Sequence, residues 1–512
     1  MFHTEQQYKM LEQQLQKLKK ENELKDKENK LLKQQNRQKD EVIHDLDPNN
    51  YRGQCQSLKI ENAELKKKVN DYEELLGIAN ISLNKDSSNS CKPSSTNGFK
   101  IVVQNNRVKS GRKPGREKGH KKSSPTVSTT PDETIAVSKV ATCTCGCKTV
   151  EREEVKRDLV SIEVITHVRQ YIGHKTECPC CHKQYMPKFP EGINNPVNYD
   201  ENIKSSVVYL NAYCNVPNKK CTDLLNFLTH DRIKMAASTV PNIMKQFSNH
   251  SKDILKTIKN KILKEPVIYE DETPTKINGK LGSTIGVYTK KLSIQEAFEN
   301  RKLESFEKMG ILNKYIGGVV CHDHNNIHRK FTKSKDAECN FHILRYCKAE
   351  YEVHKYESIK EFMDYLLGLR DTVDVYKIQG KTKFNDEEYK QAKEEYLRLL
   401  DNWDKEYLEK ADKSKLKYYK KMINLKARLR ECVDDHLRFL TDFRIDFTNN
   451  LAERGLRHIK KKLKIAGTFR NLDYAKYYCD AMSIIDTCIK QDVDIGDAII
   501  KIFQGRKKIF AY

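Results

Sequence analysis

The chain has 512 residues, 32% of them charged and 38% hydrophobic, with one Trp and a formal net charge of +23. Its length argues against a single small domain. No run of 18 apolar residues occurs and MFHTEQQYKM has no apolar signal core, which argues against membrane insertion and export. The surplus of 94 Lys and Arg over 71 Asp and Glu points to nucleic acid as the partner. Sixteen cysteines without an export signal read as reduced thiols, some of them metal ligands.

Residues 1–80 carry a heptad-like series from Leu11 through Leu15, Leu18, Lys25 and Leu32 to Leu46. Asp47-Pro48 breaks it, and a second series runs over Leu58, Asn62, Leu65, Val69, Tyr72 and Leu76. Two such helices fold back on each other or pair with a second chain. The sequence favours the latter, a homo-oligomer of at least two copies. Residues 81–130 form a basic Ser/Gly/Pro-rich linker in which Arg112, Lys113, Arg116 and Lys118, interleaved with glycines, suit a phosphate backbone or a minor groove.

Residues 131–192 hold Cys143-Thr-Cys145-Gly-Cys147 and Cys178-Pro-Cys180-Cys181, separated by a strand-like stretch, DLVSIEVITHVRQYIGHKTE. Paired knuckles at the ends of a short antiparallel unit describe a zinc ribbon, with one Zn²⁺ held by Cys178, Cys181 and two of Cys143, Cys145 and Cys147. Residues 193–264 read as helices, and the Ser238-Thr239 start makes the last of them a helix-turn-helix candidate.

Pro266–Thr273 is a β-branched run ending in the acids Glu270, Asp271 and Glu272, followed by a second strand pattern, KLGSTIGVYT, so the two predict a hairpin. Tyr315–Asp323 repeats the motif of a buried strand ending on Asp. Further on, Ala452, Leu456, Ile459, Leu463 and Ala466 recur at helical spacing behind Asn450 and Glu453, a capping-box pattern. Two strand-end aspartates and one helical glutamate supply hard oxygen ligands of the kind Mg²⁺ takes. His322, His324, His328, Cys339 and His342 crowd around Asp323 and read either as a second candidate zinc cluster or as packed, hydrogen-bonded side chains, the latter favoured for His328.

The sequence resembles the DDE transposases of the insertion-sequence sixty-six family, from about Leu75 to Gly505. The likeness rests on LLGIANISLNKDSSNSCKPSST, GRKPGREKGHK, the cysteine knuckles, EDETP, VVCHDH, ECNFHILR, NNLAERGLR, GTFR and MSIIDTCIKQ, in that order. The resemblance implies an α/β RNase H-like catalytic core over 265–470, with a large helical insertion at about 348–440 and a C-terminal helical segment over 471–512. It implies Asp271, Asp323 and Glu453 as a catalytic triad holding two Mg²⁺ ions, with Mn²⁺ as a substitute. Arg454, Arg457, Lys460, Lys461, Lys464 and Arg470, with Lys462 among them, would then hold phosphates.

The implied function is cleavage at the ends of an insertion sequence and strand transfer into target DNA. The implied partners are the terminal inverted repeats, target DNA and small accessory proteins of the same mobile element, in a bacterial cytoplasm. The alternative is a catalytically inactive or repurposed zinc-containing DNA-binding regulator.

Overall fold

A computed structural model describes residues 130–510 apart from 139, 151, 153 and 413–415, together with most positions of 13–31 and 56–72. The basic linker cations Arg112, Lys113, Arg116 and Lys118 lie outside the described residues. The described positions in 13–31 and 56–72 are helical, and Asn62 and Leu65 of the second heptad series are buried. Lys25 in the first helix pairs with Glu61 in the second at 2.7 Å, so the described helices meet within one chain.

The described residues divide into two compact units, one within 104–198 and 222–235 and the other made of the remainder. In the first, β1 (Thr176–Glu177) and β2 (Gln184–Tyr185) pair antiparallel around the second cysteine turn. The strands expected over DLVSIEVITHVRQYIGHK do not form among the described residues. Leu159 and Ile162 are 97% and 90% exposed, so the alternating pattern has no partner face to bury against.

The larger unit begins with helix α1 (Glu201–Val208), α2 (Asn218–Leu228) spans the division at 221/222, and α3 (Thr239–Ile262) belongs to the larger unit again. α3, the helix expected from the Ser238-Thr239 start, buries Ile243, Met244, Phe247, Ile254 and Ile258 along one stripe. A five-stranded sheet follows: β3 (Val267–Ile277), β4 (Lys280–Tyr288), β5 (Ser293–Phe298), β6 (Val319–His322) and β7 (Lys335–Glu338), with α4 (Leu303–Met309) between β5 and β6. The spatial order is β5-β4-β3-β6-β7. β4 is antiparallel to both β5 and β3, while β6 and β7 run parallel to β3 and β6 respectively.

The predicted hairpin is present, but β3 does not stop at the acids. It runs six residues past Asp271 to Ile277, because Thr273 and Thr275 continue the buried alternation. Asn278 and Gly279, with φ of 49° and 74°, make the two-residue turn that matches strand twist.

Helices α5 (Asn340–His354), α6 (Glu357–Ile378), α7 (Asp386–Lys410), α8 (Leu416–Glu431), α9 (Val433–His436) and α10 (Arg438–Thr441) occupy the interval between β7 and the third acid. α11 (Asn450–Gly455), α12 (Arg457–Ala466), α13 (Leu472–Lys490) and α14 (Ile495–Phe503) complete the chain. α13 covers the β5 edge: the Ser293 and Gln295 backbone N–H groups donate to Thr487 Oγ1 at 3.2 Å and Ser483 Oγ at 2.9 Å. An edge strand whose outward donors are satisfied by a helix cannot recruit another strand.

Candidate active site

The register of β3 against β6 pairs Val267 with Val319, Ile268 with Val320 and Tyr269 with Cys321, a constant offset of 52. Continued one step past the end of β6, that offset sets Asp323 opposite Asp271. Alternation along β3 sends Tyr269 and Asp271 to one face and Glu270 and Glu272 to the other, so only the middle acid of the three faces the same side as Asp323.

Glu453 reaches this face on α11, and three features fix that helix. Asn449, just before it, donates from Nδ2 to Glu270 O at 2.6 Å and from its backbone N–H to Cys339 Sγ at 3.2 Å. Ala452 is fully buried. Gly455 lies against the buried ring of Tyr288 on β4, where any Cβ would overlap the ring. At the far end the Phe469 backbone N–H donates to Lys276 O at 2.9 Å and the Phe469 carbonyl accepts from Asn278 N–H at 2.7 Å, tying GTFR to the end of β3.

The expected capping box is not formed. Asn450 is the first helical residue rather than the cap, and the Glu453 backbone N–H bonds to Asn449 O, so the Glu453 carboxyl stays free of a capping role. The predicted single helix is interrupted at Leu456. Of its stripe, Ala452, Leu456 and Ile459 are buried, Leu463 is partly exposed and Ala466 exposed.

The three acids act on one another. Burial first, then the charges of Asp323, Glu270 and Glu453, push the Asp271 carboxyl well above the carboxylate range, with Lys460 pulling the other way. Burial also raises Glu453. Arg345, Lys460 and Arg457 oppose that shift and Asp323 adds to it. Glu453 Oε1 is buried without a hydrogen-bond partner. Arg345, whose guanidinium stacks on Phe341 at 4.4 Å, is the first opposing charge on Glu453. ECNFHILR contains it, but nothing in the spacing set it apart from the surface cations.

The histidines around Asp323 do not form one cluster; they separate into three. His328 Nε2 lies 2.9 Å from Glu270 on the opposite face of β3, and its ring stacks on His322 at 3.9 Å. Burial pushes the Glu270 carboxyl up and the His328 imidazole well down, both toward their neutral forms. His324 joins Glu338 and His436. Cys339, His342 and Glu453 form the third group, their ligand atoms within 4.8 Å of one another. Burial lowers His342 to about 4, leaving a neutral ring 4.0 Å from Glu453 Oε1.

Arg454, Arg457, Lys460, Lys461, Lys464 and Arg470 are all exposed. Lys462 is not one of them: it is buried, with Nζ donating to Asn211 O at 2.8 Å and lying over the Tyr478 ring. The family resemblance groups it with the phosphate-holding cations. The break at Leu456 and the packing of α12 on the α1 region turn it inward.

In the other unit, the Cys143 backbone N–H donates to Cys147 O at 2.9 Å, and Cys178 N–H to Lys183 O at 3.0 Å, closing each cysteine turn. Cys143, Cys145, Cys147 and Cys181 are exposed and Cys178 is half-buried. Hydrogen bonds from Cys145 lower the Cys143 thiol, and those from Cys181 and Cys180 lower Cys178.

A mixed sheet with an acid on one strand and another just past its parallel neighbour, closed by a helix with a third acid and a cationic face, makes an α/β domain. The family profile described as Transposase IS66 family matches residues 197–477, and the chain belongs to that family. No curated protein matches the chain. No helix among the described residues is long and apolar enough to cross a membrane.

Proposed function

We propose that this chain cuts DNA at the ends of its own mobile element and joins the freed 3′-hydroxyl to target DNA, with Asp271, Asp323 and Glu453 as the catalytic acids of an RNase H-like core. The observation that carries the reading is the register of β3 against β6, which continued by one residue sets Asp323 opposite Asp271, with Glu453 of the closing helix in charge contact with both. Carboxylates held together in a half-buried place are a cost to the fold unless a cation neutralises them. The strand order, with two antiparallel hairpin partners on one side of β3 and two parallel strands on the other, supports the core assignment.

The donor set fits Mg²⁺, since all three groups are hard oxygen ligands and Glu453 Oε1 has no other partner. When bound, two such ions activate the attacking oxygen and stabilise the leaving one. The remaining work falls to the chain itself. Asn449 and Gly455 hold the third acid in place. Arg345 sets its charge. Lys460, which acts on both Asp271 and Glu453, is placed to meet the phosphate beside the reacting one. Arg454, Arg457, Lys461, Lys464 and Arg470 extend the phosphate track.

We infer also that Cys178, Cys181 and two of Cys143, Cys145 and Cys147 bind one structural Zn²⁺, that the linker cations contact DNA, and that two copies pair through the N-terminal helices. The test is Mg²⁺- or Mn²⁺-dependent nicking and joining of an oligonucleotide bearing the terminal inverted repeat, with the mobile element's accessory proteins present. Asp271→Asn, Asp323→Asn and Glu453→Gln should each lower joining by at least about 10²–10³-fold, the scale for losing one preorganised charge-stabilising group, while DNA binding persists. Joining that survives any of these changes overturns the assignment.

A further inference from the structure

We propose that His324, Glu338 and His436 form a site for a transition-metal ion of the zinc type, separate from the three acids and from the cysteine turns. The residues come from three elements: the loop after β6, the last residue of β7 and the last residue of α9. Their ligand atoms lie within 4.8 Å of one another. His324 Nδ1 stands 2.6 Å and His436 Nε2 3.0 Å from the same carboxylate oxygen, Glu338 Oε2. All three side chains are at most 3% exposed.

In one of the two His436 tautomers the hydrogen bonds around them leave the centre open to a cation. Tyr396 is within bonding distance of Leu429 O at 3.3 Å, a carbonyl that can only accept, and of His436 Nδ1 at 2.8 Å. With the tyrosine proton on Leu429 O, His436 donates from Nδ1, and its Nε2 lone pair faces a carboxylate oxygen. Two acceptors in contact repel unless a positive species lies between them. His324 Nε2, the ring nitrogen turned away from Glu338, is buried without a hydrogen bond.

The surroundings resemble the outer partners of a metal centre. Arg428 holds the other Glu338 oxygen at 2.9 Å, and Tyr396 bonds the second ring nitrogen of His436 at 2.8 Å. Two imidazole nitrogens and one carboxylate oxygen suit Zn²⁺ or Co²⁺, whereas Mg²⁺ prefers oxygen alone. An ion here would pin the helical insertion, through His436, to the loop whose preceding residue is Asp323. The rival occupant is a proton, which would make the cluster an ordinary buried ion network.

The test counts metal in the full-length protein, a readout independent of transposition. After equilibration with Zn²⁺ and dialysis, His324→Ala and His436→Gln chains should each hold one zinc fewer than wild type. A Cys178→Ser, Cys181→Ser chain should keep the zinc that those variants lose. Tyr396→Phe should weaken binding of that ion by about 10–100-fold, the usual effect of removing an outer partner.

Should the histidine variants fail to fold, Co²⁺ titration of the wild type decides. The proposal expects one equivalent with visible d–d bands and no thiolate charge-transfer band. Equal zinc content in wild type and both histidine variants, or cobalt bound only with thiolate bands, overturns it.

Discussion

At the scale of single residues, the acids themselves set the first expectation. The Asp271 carboxyl is raised well above its unfolded value by burial and by its acidic neighbours. A carboxyl shifted this way stabilises the fold fully below the unfolded pKa, and that contribution is lost as pH rises through the folded one. At neutral pH the ionised group therefore weighs against folding when no divalent ion is present. Asp271→Asn should raise the melting temperature in chelator by a few degrees, with the gain fading toward acid pH. Added Mg²⁺ should stabilise the wild type far more than the variant. The opposite order in a thermal-shift series would show that Asp271 is not under repulsion. Gly455 sets the second expectation. Alanine there drives a methyl into the immobile Tyr288 ring, an overpacking that costs about 1–3 kcal/mol, and it displaces Glu453 with its helix. Gly368 on α6 has nothing near its Cβ position, so the same substitution there should be harmless or stabilising by about 0.4–1 kcal/mol. Urea unfolding of both variants separates local crowding from a general effect of alanine.

At the scale of elements, α12 was only partly readable from its letters. Helical spacing identified Ala452, Leu456 and Ile459 as the buried side, but a lysine in a cationic run carries no mark of being buried. Only the tertiary partner Asn211, some 250 residues earlier in the chain, turns Lys462 inward. Lys460→Ala should weaken DNA binding, whereas Lys462→Met should leave affinity unchanged. Burial lowers the Lys462 amine to about 8. The unfolded chain thus binds the extra proton between about 8 and its ordinary value, and stability rises with pH across that window. The methionine variant should lose this rise in a melting-temperature series against pH. β3 was readable in its first half, where β-branched residues precede the acids. Its continuation through Thr273 and Thr275 depends on pairing with β4, which a single strand's pattern does not encode. The histidines near Asp323 were visible as a group, but their division into three rests on strand parity and on Glu338 and His436, which had no motif to announce them. The strand-like stretch before Cys178 shows the converse, a strong alternation with no partner among the described residues.

At the scale of the whole molecule, the net charge of +23 places most of the DNA affinity in counterion release. The logarithm of the binding constant should fall steeply and linearly with the logarithm of salt concentration. Each of Lys460, Lys461 and Lys464 changed to alanine should reduce that slope by about 0.9 if its amine neutralises a phosphate. A slope unchanged by all three would remove α12 from the DNA path. Composition thus indicated the partner, and the order of motifs indicated the family, while the positioning of the third acid became visible only through Asn449, Tyr288 and Gly455. That last arrangement bears on when the protein can act during its own synthesis. The helix bearing Glu453 is anchored to β3, β4 and the residue before α5, and it emerges from the ribosome only after the whole helical insertion. A nascent or truncated chain can complete the sheet and still lack its final carboxylate. On the proposed chemistry, cutting is therefore withheld until translation has passed the third acid and the closing helix has docked.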